Sequence, residues 1–338
     1  MHDNEPSLPL LWDTFTGYQR TAALKAGVEL DVFTQIAGGV STIDALATRC
    51  QAAPRGLRAL LNHLVMDGFL TREGERYGLS ATAAAFLDRN AVSYLGSAIN
   101  FIASPAVAEG FTRLTDAVRR GGTAIPSDGH VAAEHPMWIE FARSMAPLAG
   151  MTAMLLANVL DIEHAAGGKV LDIAAGHGMY GITIARLNPA IEVTAIDWKN
   201  VLAVAEENAR AAGLGKRYGV RPGSAFDVPF GDGYQIVLLP NILHHFDPAG
   251  CEKLLKRSHD ALAPGGRLVI VEFSPNGDRS GPPDAVRFAL VMLAGTPGGD
   301  AYTFDEYQGM LRRSGFQSAT LHELPPSPQR VILATRAR

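Results

Sequence analysis

The run Lys169-Val170-Leu171-Asp172-Ile173-Ala174-Ala175-Gly176-His177-Gly178-Met179-Tyr180-Gly181 decides how the chain is read. Val170 to Ile173 has the length and apolar character of a short buried strand, and a helical pattern (Ile182, Ala185, Leu187) opens beyond it. Between them Gly176, Gly178 and Gly181 form G-x-G-x-x-G. Glycines at this spacing allow a tight turn and let the backbone approach a ligand closely. The motif alone does not choose the ligand, because dinucleotide-binding sheets share it.

Asp172 makes the choice. A carboxylate four positions before the first glycine repels a pyrophosphate and attracts an ammonium group. Nineteen positions after Gly178, Asp197 closes the strand that starts at Ile191. An acid there suits ribose hydroxyls, which donate two hydrogen bonds to one carboxylate. S-adenosylmethionine carries an ammonium group and a ribose diol and has no phosphate, so the two acids together point to it. The competing role for Asp172 is to cap the helix that follows.

Working outward, 338 residues are many for one core, so two domains are expected. A net charge of −4 gives no general attraction to nucleic acid or to an anionic membrane. Cys50 and Cys251 make neither a disulfide framework nor a zinc spacing, which suits the reducing cytoplasm. Met1 to Pro6 lacks the basic start and apolar core of a signal peptide. The apolar stretch from Ala146 to Leu160 is too short to span a bilayer.

Residues 8–37 read as helical, and Ser41-Thr42-Ile43-Asp44 reads as a helix start. Pro54 opens a helix with the apolar stripe Leu57, Leu60, Leu61, Leu64 and Val65. Phe69 to Ser80 reads as a hairpin about Gly74. Helix, helix, hairpin is the winged-helix arrangement. Residues 1–90 carry eight Arg and Lys against ten Asp and Glu, however, and a DNA reader needs a basic face. Packing or dimerisation is therefore the expected role. Residues 81–165 read as helical, with a loop by composition at 121–129. Phe141 and Met145 there are placed either to meet a ligand or to pack in the core.

From residue 168 strands and helices alternate, which predicts a parallel sheet with helices on both faces. After the two strands already named come Tyr218–Arg221, Tyr234–Leu239 and Arg267–Phe273, then Ser318–Leu324 and Arg330–Thr335. The last two are joined by Pro325 to Pro328, too short for a crossover helix, so that pair is expected to be antiparallel. The fold class is α/β, a seven-stranded Rossmann-like sheet with a smaller helical amino-terminal domain.

Ligands of such sheets bind beyond the carboxyl ends of the strands. The candidate cofactor residues are Asp172, Gly176, Gly178, Asp197 and the adjoining Trp198, then Ser224, Ala225 and Phe226 after the third strand, and Asn241 after the fourth. Phe226 is placed to flank an adenine, and Ser224 or its backbone to bond the adenine edge. His244 and His245 invite a metal reading. Adjacent side chains diverge, though, and no third ligand has metal spacing, so no metal is expected.

The stretch Leu243-His244-His245-Phe246-Asp247-Pro248 through Cys251-Glu252-Lys253-Leu254-Leu255 resembles the "LHDW…CxKIL" signature of the dimeric small-molecule O-methyltransferases. That family includes plant caffeate and flavonoid enzymes and bacterial polyketide, phenazine and hydroxyneurosporene enzymes. The resemblance covers nearly the whole chain. It implies a winged-helix-like dimerisation domain at 1–90, a helical linker contributing to the acceptor pocket at 91–165, and a class I S-adenosylmethionine-dependent methyltransferase domain at 166–338. It further implies a cytoplasmic homodimer that methylates a hydroxyl of a small molecule.

His244 matches the family's catalytic base, and Glu272, 28 residues on, matches a glutamate that brackets it. The chain departs from the pattern at several points. Pro297-Gly298-Gly299 is followed by Asp300, where plant enzymes carry a second glutamate. His245 and Phe246 stand for the usual Asp and Trp, Pro240 for a plant lysine near adenine, and Gly223-Ser224 for Gly-Asp. Phe288 and Met292, with Phe141 and Met145, are expected to wall a pocket for an aromatic or polyketide-like acceptor. Trp12, Phe15 and Tyr18 are candidates for completing the partner subunit's site. Three other functions stay open: C- or N-methyl transfer by positioning alone, NAD-dependent oxidoreduction, and cofactor-sensing DNA binding.

Overall fold

The computed structural model describes residues 6–126, 129–132 and 134–338. The start of the chain at Met1–Glu5, and Ser127 and Asp128 of the expected loop, lie outside them. The chain divides between Ser104 and Pro105 into two compact units.

The first unit contains α1 (Leu8–Glu29), α2 (Val32–Ala37), α3 (Ile43–Arg49), α4 (Pro54–Met66), β1 (Leu70–Glu73), β2 (Arg76–Leu79), α5 (Ala81–Phe86) and α6 (Ala98–Ile102). The stretch expected as one helix over 8–37 breaks at Asp31, whose φ of 58° is left-handed. Leu57, Leu61 and Leu64 fall on one face of α4 and are buried with Val28, Phe33 and Leu46. β1 and β2 pair antiparallel from Leu70↔Leu79 to Glu73↔Arg76, with Gly74 at φ 59° in the turn. Tyr77 Oη donates to Asn62 Oδ1 at 2.8 Å and ties the hairpin to α4. By contrast α1 leaves Leu8, Leu10, Trp12, Phe15 and Tyr18 exposed.

The second unit opens with α7 (Pro105–Thr112), α8 (Leu114–Arg120) and the long α9 (Met137–Val159). Strands and helices then alternate: β3 (Gly168–Ile173), α10 (Met179–Leu187), β4 (Ile191–Asp197), α11 (Lys199–Ala211), β5 (Tyr218–Pro222), β6 (Tyr234–Pro240), α12 (Pro248–Ala261), β7 (Leu262–Glu272), α13 (Pro283–Gly295), α14 (Phe304–Arg313), β8 (Ala319–Glu323) and β9 (Arg330–Thr335). The strand order is β5-β4-β3-β6-β7-β9-β8. β5 through β7 run parallel, and β9 is antiparallel to both β7 and β8. The expected seven-stranded sheet with an antiparallel last pair is present. The fifth strand begins earlier than its apolar run, at Leu262, which pairs with Tyr234 before a register shift. Gly265, at φ 77°, lets the chain irregularly continue the strand instead of turning away.

The pleat sorts β3 between two cores. Val170 faces the cluster that includes Leu156, Ile182, Val193 and Leu238. Leu171 and Ile173 face the one that includes Val237, Leu254, Leu268 and Phe316. Each fully buried aliphatic side chain stabilises the unit by about 1.5–3 kcal/mol. The connections reverse direction between β3 and β6, so a crevice opens beyond their carboxyl ends.

Candidate active site

The glycine-rich turn is built by backbone conformation. Gly176 and Gly178 have φ of 57° and 75°, and Ala174 also lies in the left-handed region. Gly178 is the residue preceding α10, so the first N–H groups of that helix face the crevice. A Cβ at Gly181 would lie 2.9 Å from Asp172 Oδ2 and 2.8 Å from Val193 Cγ1, so only glycine lets α10 pack this close to the sheet.

Asp172 is fully buried. Its Oδ2 accepts the Gly181 N–H at 3.1 Å, the capping contact expected of an acid before a helix. Its Oδ1 is buried with no hydrogen-bond partner among the described residues. Burial pushes the Asp172 pKa up to about 7. Asp197 Oδ2 accepts the Gly176 N–H at 2.8 Å, and its Oδ1 accepts the Trp198 N–H at 2.7 Å. Burial raises its pKa to about 6. Trp198 packs with Trp138, Ala142, Val201 and Val204 between α9 and α11. Among the described residues Asp172 Oδ1 has no donor, and burial disfavours the charged form of both acids. Tyr218 Oη, also buried and without a hydrogen-bond partner among the described residues, would stand 2.5 Å from a Cβ at Gly178. A cationic, hydrogen-bond-donating ligand fits this set of acceptors, and a diphosphate does not.

After β5, Ser224 Oγ accepts the Phe226 N–H at 3.1 Å and fixes the turn, with Ala225 half-buried beside it. Phe226 lies edge-on to Phe246 at 4.9 Å, with Lys253 5.2 Å above its ring. After β6, Asn241 adopts φ 57° and turns its side chain into a polar cluster. Its Nδ2 donates to Tyr180 Oη at 3.4 Å, and its Oδ1 accepts from Gln329.

The next turn carries His244 and His245. Its shape is held by Cys251, whose thiol donates to the Leu243 carbonyl at 3.1 Å, and by Tyr302 Oη, which donates to the Phe246 carbonyl at 2.7 Å. His244 is buried, and its Nδ1 lies 2.5 Å from Oε2 of the buried Glu272 at the end of β7. Glu272 Oε1 accepts the Leu243 N–H at 3.0 Å. Asp300, in the place of the second glutamate, pairs instead with Arg279 at 3.2 Å.

Rings connect this turn to the glycine loop. His244 meets Phe288 edge-on at 4.7 Å, and Phe288 stacks on Phe273 at 4.3 Å. His245 contacts Trp138 at 5.2 Å, Trp138 contacts Phe141 at 5.7 Å, and Phe141 stacks on His177 at 5.9 Å. Met292 is buried one turn beyond Phe288, and Met145 is half-buried one turn beyond Phe141. Sequence reasoning missed Trp138, which shares a helix face with Phe141 at i, i+3 and was findable from that spacing. It also missed His177, Tyr180, Tyr218 and Gln329, for which no local pattern signals a role.

Residues 111–317 match the family model of the O-methyltransferase domain, and residues 12–89 that of the O-methyltransferase dimerisation domain. A 3-hydroxy-5-methyl-1-naphthoate 3-O-methyltransferase from Streptomyces sahachiroi is 30% identical over 97% of this chain and 95% of its own length. The crystal structure of a candidate O-methyltransferase from Nostoc punctiforme PCC 73102 superposes with a TM-score of 0.93 at 48% identity, covering 98% of this chain and all 100% of the other. Human N-acetylserotonin methyltransferase, solved in complex with S-adenosylmethionine, shares the fold over 100% of both chains, with a TM-score of 0.85 at 21% identity. With its glycine loop, paired strand-end acids and buried histidine–glutamate couple, the chain belongs to the O-methyltransferase family whose members carry a dimerisation domain ahead of the methyltransferase domain.

Proposed function

We propose that the chain transfers a methyl group from S-adenosylmethionine to a hydroxyl of a small aromatic or polyketide-like molecule, with His244 as general base. The observation that carries this reading is the buried His244–Glu272 pair at 2.5 Å after β6, beside a glycine turn after β3 where Asp172 Oδ1 has no hydrogen-bond partner among the described residues. Bound in that crevice, S-adenosylmethionine supplies an electrophilic methyl group on a cationic sulfur. Asp172 and Asp197 hold its ammonium and ribose ends. Gly176, Gly178, Trp198, Ser224, Ala225, Phe226 and Asn241 shape the remainder of that site.

His244 is the base on which the positive charge left by deprotonating the acceptor hydroxyl comes to rest, an assistance typically worth about 10²–10⁴-fold. Glu272 orients its ring through the contact to Nδ1. Phe288, Met292, Phe141 and Met145 exclude water and align the acceptor, and alignment supplies most of the rate. The hydroxynaphthoate in the Streptomyces relative's name supports a phenolic acceptor here.

Residues 1–90 serve as a dimerisation domain, 91–165 as a helical linker to the acceptor pocket, and 166–338 as the methyltransferase domain. The exposed Trp12, Phe15 and Tyr18 of α1 support a homodimer in which this segment reaches the partner. No helix among the described residues is long and apolar enough to cross a membrane, which supports a cytoplasmic enzyme. The test is calorimetry with S-adenosylhomocysteine followed by a screen of phenolic acceptors. A chain that binds NAD and not this nucleoside, or His244→Gln with kcat unchanged, would overturn the reading.

A further inference from the structure

Neither nitrogen of the His244 ring is free. Nδ1 is taken by Glu272 Oε2 at 2.5 Å, and Nε2 lies 3.2 Å from His245 Nε2. Glu272 sets the direction of every proton in this row. Its Oε1 already accepts the N–H groups of Leu243 at 3.0 Å and His244 at 3.4 Å, so the carboxylate is the acceptor throughout. His244 Nδ1 therefore carries the proton it shares with Oε2, and the neutral ring presents a bare Nε2. His245 Nε2 must then donate between the two rings. Its Nδ1 is left as a lone pair, buried and without a hydrogen-bond partner among the described residues. Burial, and then the neighbouring His244, pull the His245 pKa well below the usual imidazole range, which keeps this ring neutral.

A chain of ring contacts links His245 to the glycine loop. Trp138 touches His245 at 5.2 Å and Phe141 at 5.7 Å. A Cβ on Gly176 would lie 3.5 Å from Phe141 Cε1. A buried acceptor without a donor is unfavourable, and a ligand O–H relieves it. A carbon nucleophile brings no such donor, so the row suits a hydroxyl acceptor.

We propose that His245 is a catalytic residue: its Nδ1 takes the proton of the acceptor hydroxyl, and its Nε2 proton passes to His244. The inference rests on His244 being the base. In the step, the acceptor O–H bond breaks and its proton goes to the His245 Nδ1 lone pair. The His245 Nε2–H bond breaks and that proton goes to His244 Nε2, leaving an imidazolium beside the Glu272 carboxylate. The oxygen electron pair forms the O–CH3 bond as the C–S bond breaks, its electrons staying on sulfur. After product leaves, His244 returns its Nε2 proton to His245 Nε2, and the His245 Nδ1 proton passes to water.

Two experiments test it. Nitrogen-15 NMR of the histidine-labelled wild-type protein reads the tautomers directly and needs no variant. The expected result is His244 protonated at Nδ1, and His245 protonated at Nε2 with a bare Nδ1 that shifts when a phenolic acceptor is added. Kinetics of His245→Ala are expected to show kcat lowered at least about tenfold, with restoration by added imidazole that grows with the basicity of the imidazole used. S-adenosylhomocysteine affinity is expected to stay unchanged. A proton on His245 Nδ1, or a His245→Ala enzyme that imidazole does not restore, overturns the relay. His244→Ala separates the two readings: if it is inactive while His245→Ala keeps wild-type kcat, the relay alone is wrong, and if it stays active the base assignment is wrong as well.

Discussion

Gly299→Ala is expected to cripple methyl transfer while leaving the cofactor site intact. A Cβ at this position would stand 2.1 Å from the His244 carbonyl oxygen, 2.9 Å from the His245 carbonyl carbon and 2.7 Å from Thr296 Oγ1. Ordinary contact begins at 3.4 Å, so clearing the first atom alone needs a movement of 1.3 Å from 2.1 Å. The two His-pair obstacles are backbone, which no rotamer change can move aside. Either the turn carrying His244 and His245 shifts, or the loop 296–299 does. A displacement of about 1 Å in the catalytic geometry costs roughly 10²-fold in rate. Forcing a methyl group into a packed site costs about 1–3 kcal/mol, and in a unit of this size each kcal/mol lowers Tm by roughly 2–4 °C. Gly298→Ala is the matched control, because its Cβ would meet Asp247 Cβ at 3.3 Å and needs only a few tenths of an ångström. The assay is kcat with a labelled methyl donor, alongside calorimetric binding of S-adenosylhomocysteine and a melting curve. If Gly299→Ala kept kcat within about twofold of its Gly298→Ala control, the claim that this packing positions the histidine turn would be refuted.

Glu272→Gln keeps an oxygen for the Leu243 and His244 N–H groups but turns an amide NH2 toward His244 Nδ1, so the ring takes the opposite tautomer. We expect kcat to fall by up to about 10⁴-fold with cofactor affinity nearly unchanged; an undiminished kcat would remove Glu272 from the mechanism. Asp172 and Asp197 have pKa values raised by burial from 3.8 to about 7 and about 6. Their contribution to folding stability is therefore complete below pH 3.8 and lost as pH rises through 6 to 7. Binding an ammonium-bearing ligand needs the charged forms, so S-adenosylhomocysteine is expected to bind more tightly as pH rises from about 5 to about 8, releasing protons. Calorimetry in buffers of different ionisation enthalpy checks this, and a flat Kd with no proton release contradicts it. Trp12→Glu combined with Phe15→Glu is expected to shift the mass seen by light scattering toward the 36.0 kDa of one chain; an unaltered larger mass would clear α1 of any part in assembly.

Much of this molecule is legible in one dimension because its signals are local. The glycine turn, the alternation of apolar strands with helices, and the short Pro325–Pro328 connection each occupy one stretch, and each maps onto the element it implied. The spacing from His244 to Glu272 was legible only through family resemblance, since nothing in 28 residues of sequence announces that the two ends meet. The start of β7 was misplaced because pairing with Tyr234, not apolar character, sets it.

By itself, then, the sequence determined the periodicities, the turns and the ionisable groups available at the strand ends, because backbone preference and burial pattern act between near neighbours. Tertiary structure decided which of those groups satisfy one another. Tyr180 meets Gln329 across 149 positions, Asn241 meets Gln329 across 88, Asp300 is drawn to Arg279, and both nitrogens of His244 are claimed. Hydrogen bonds between buried polar atoms depend on where the chain brings them together, and that is settled only once the sheet and its helices have packed.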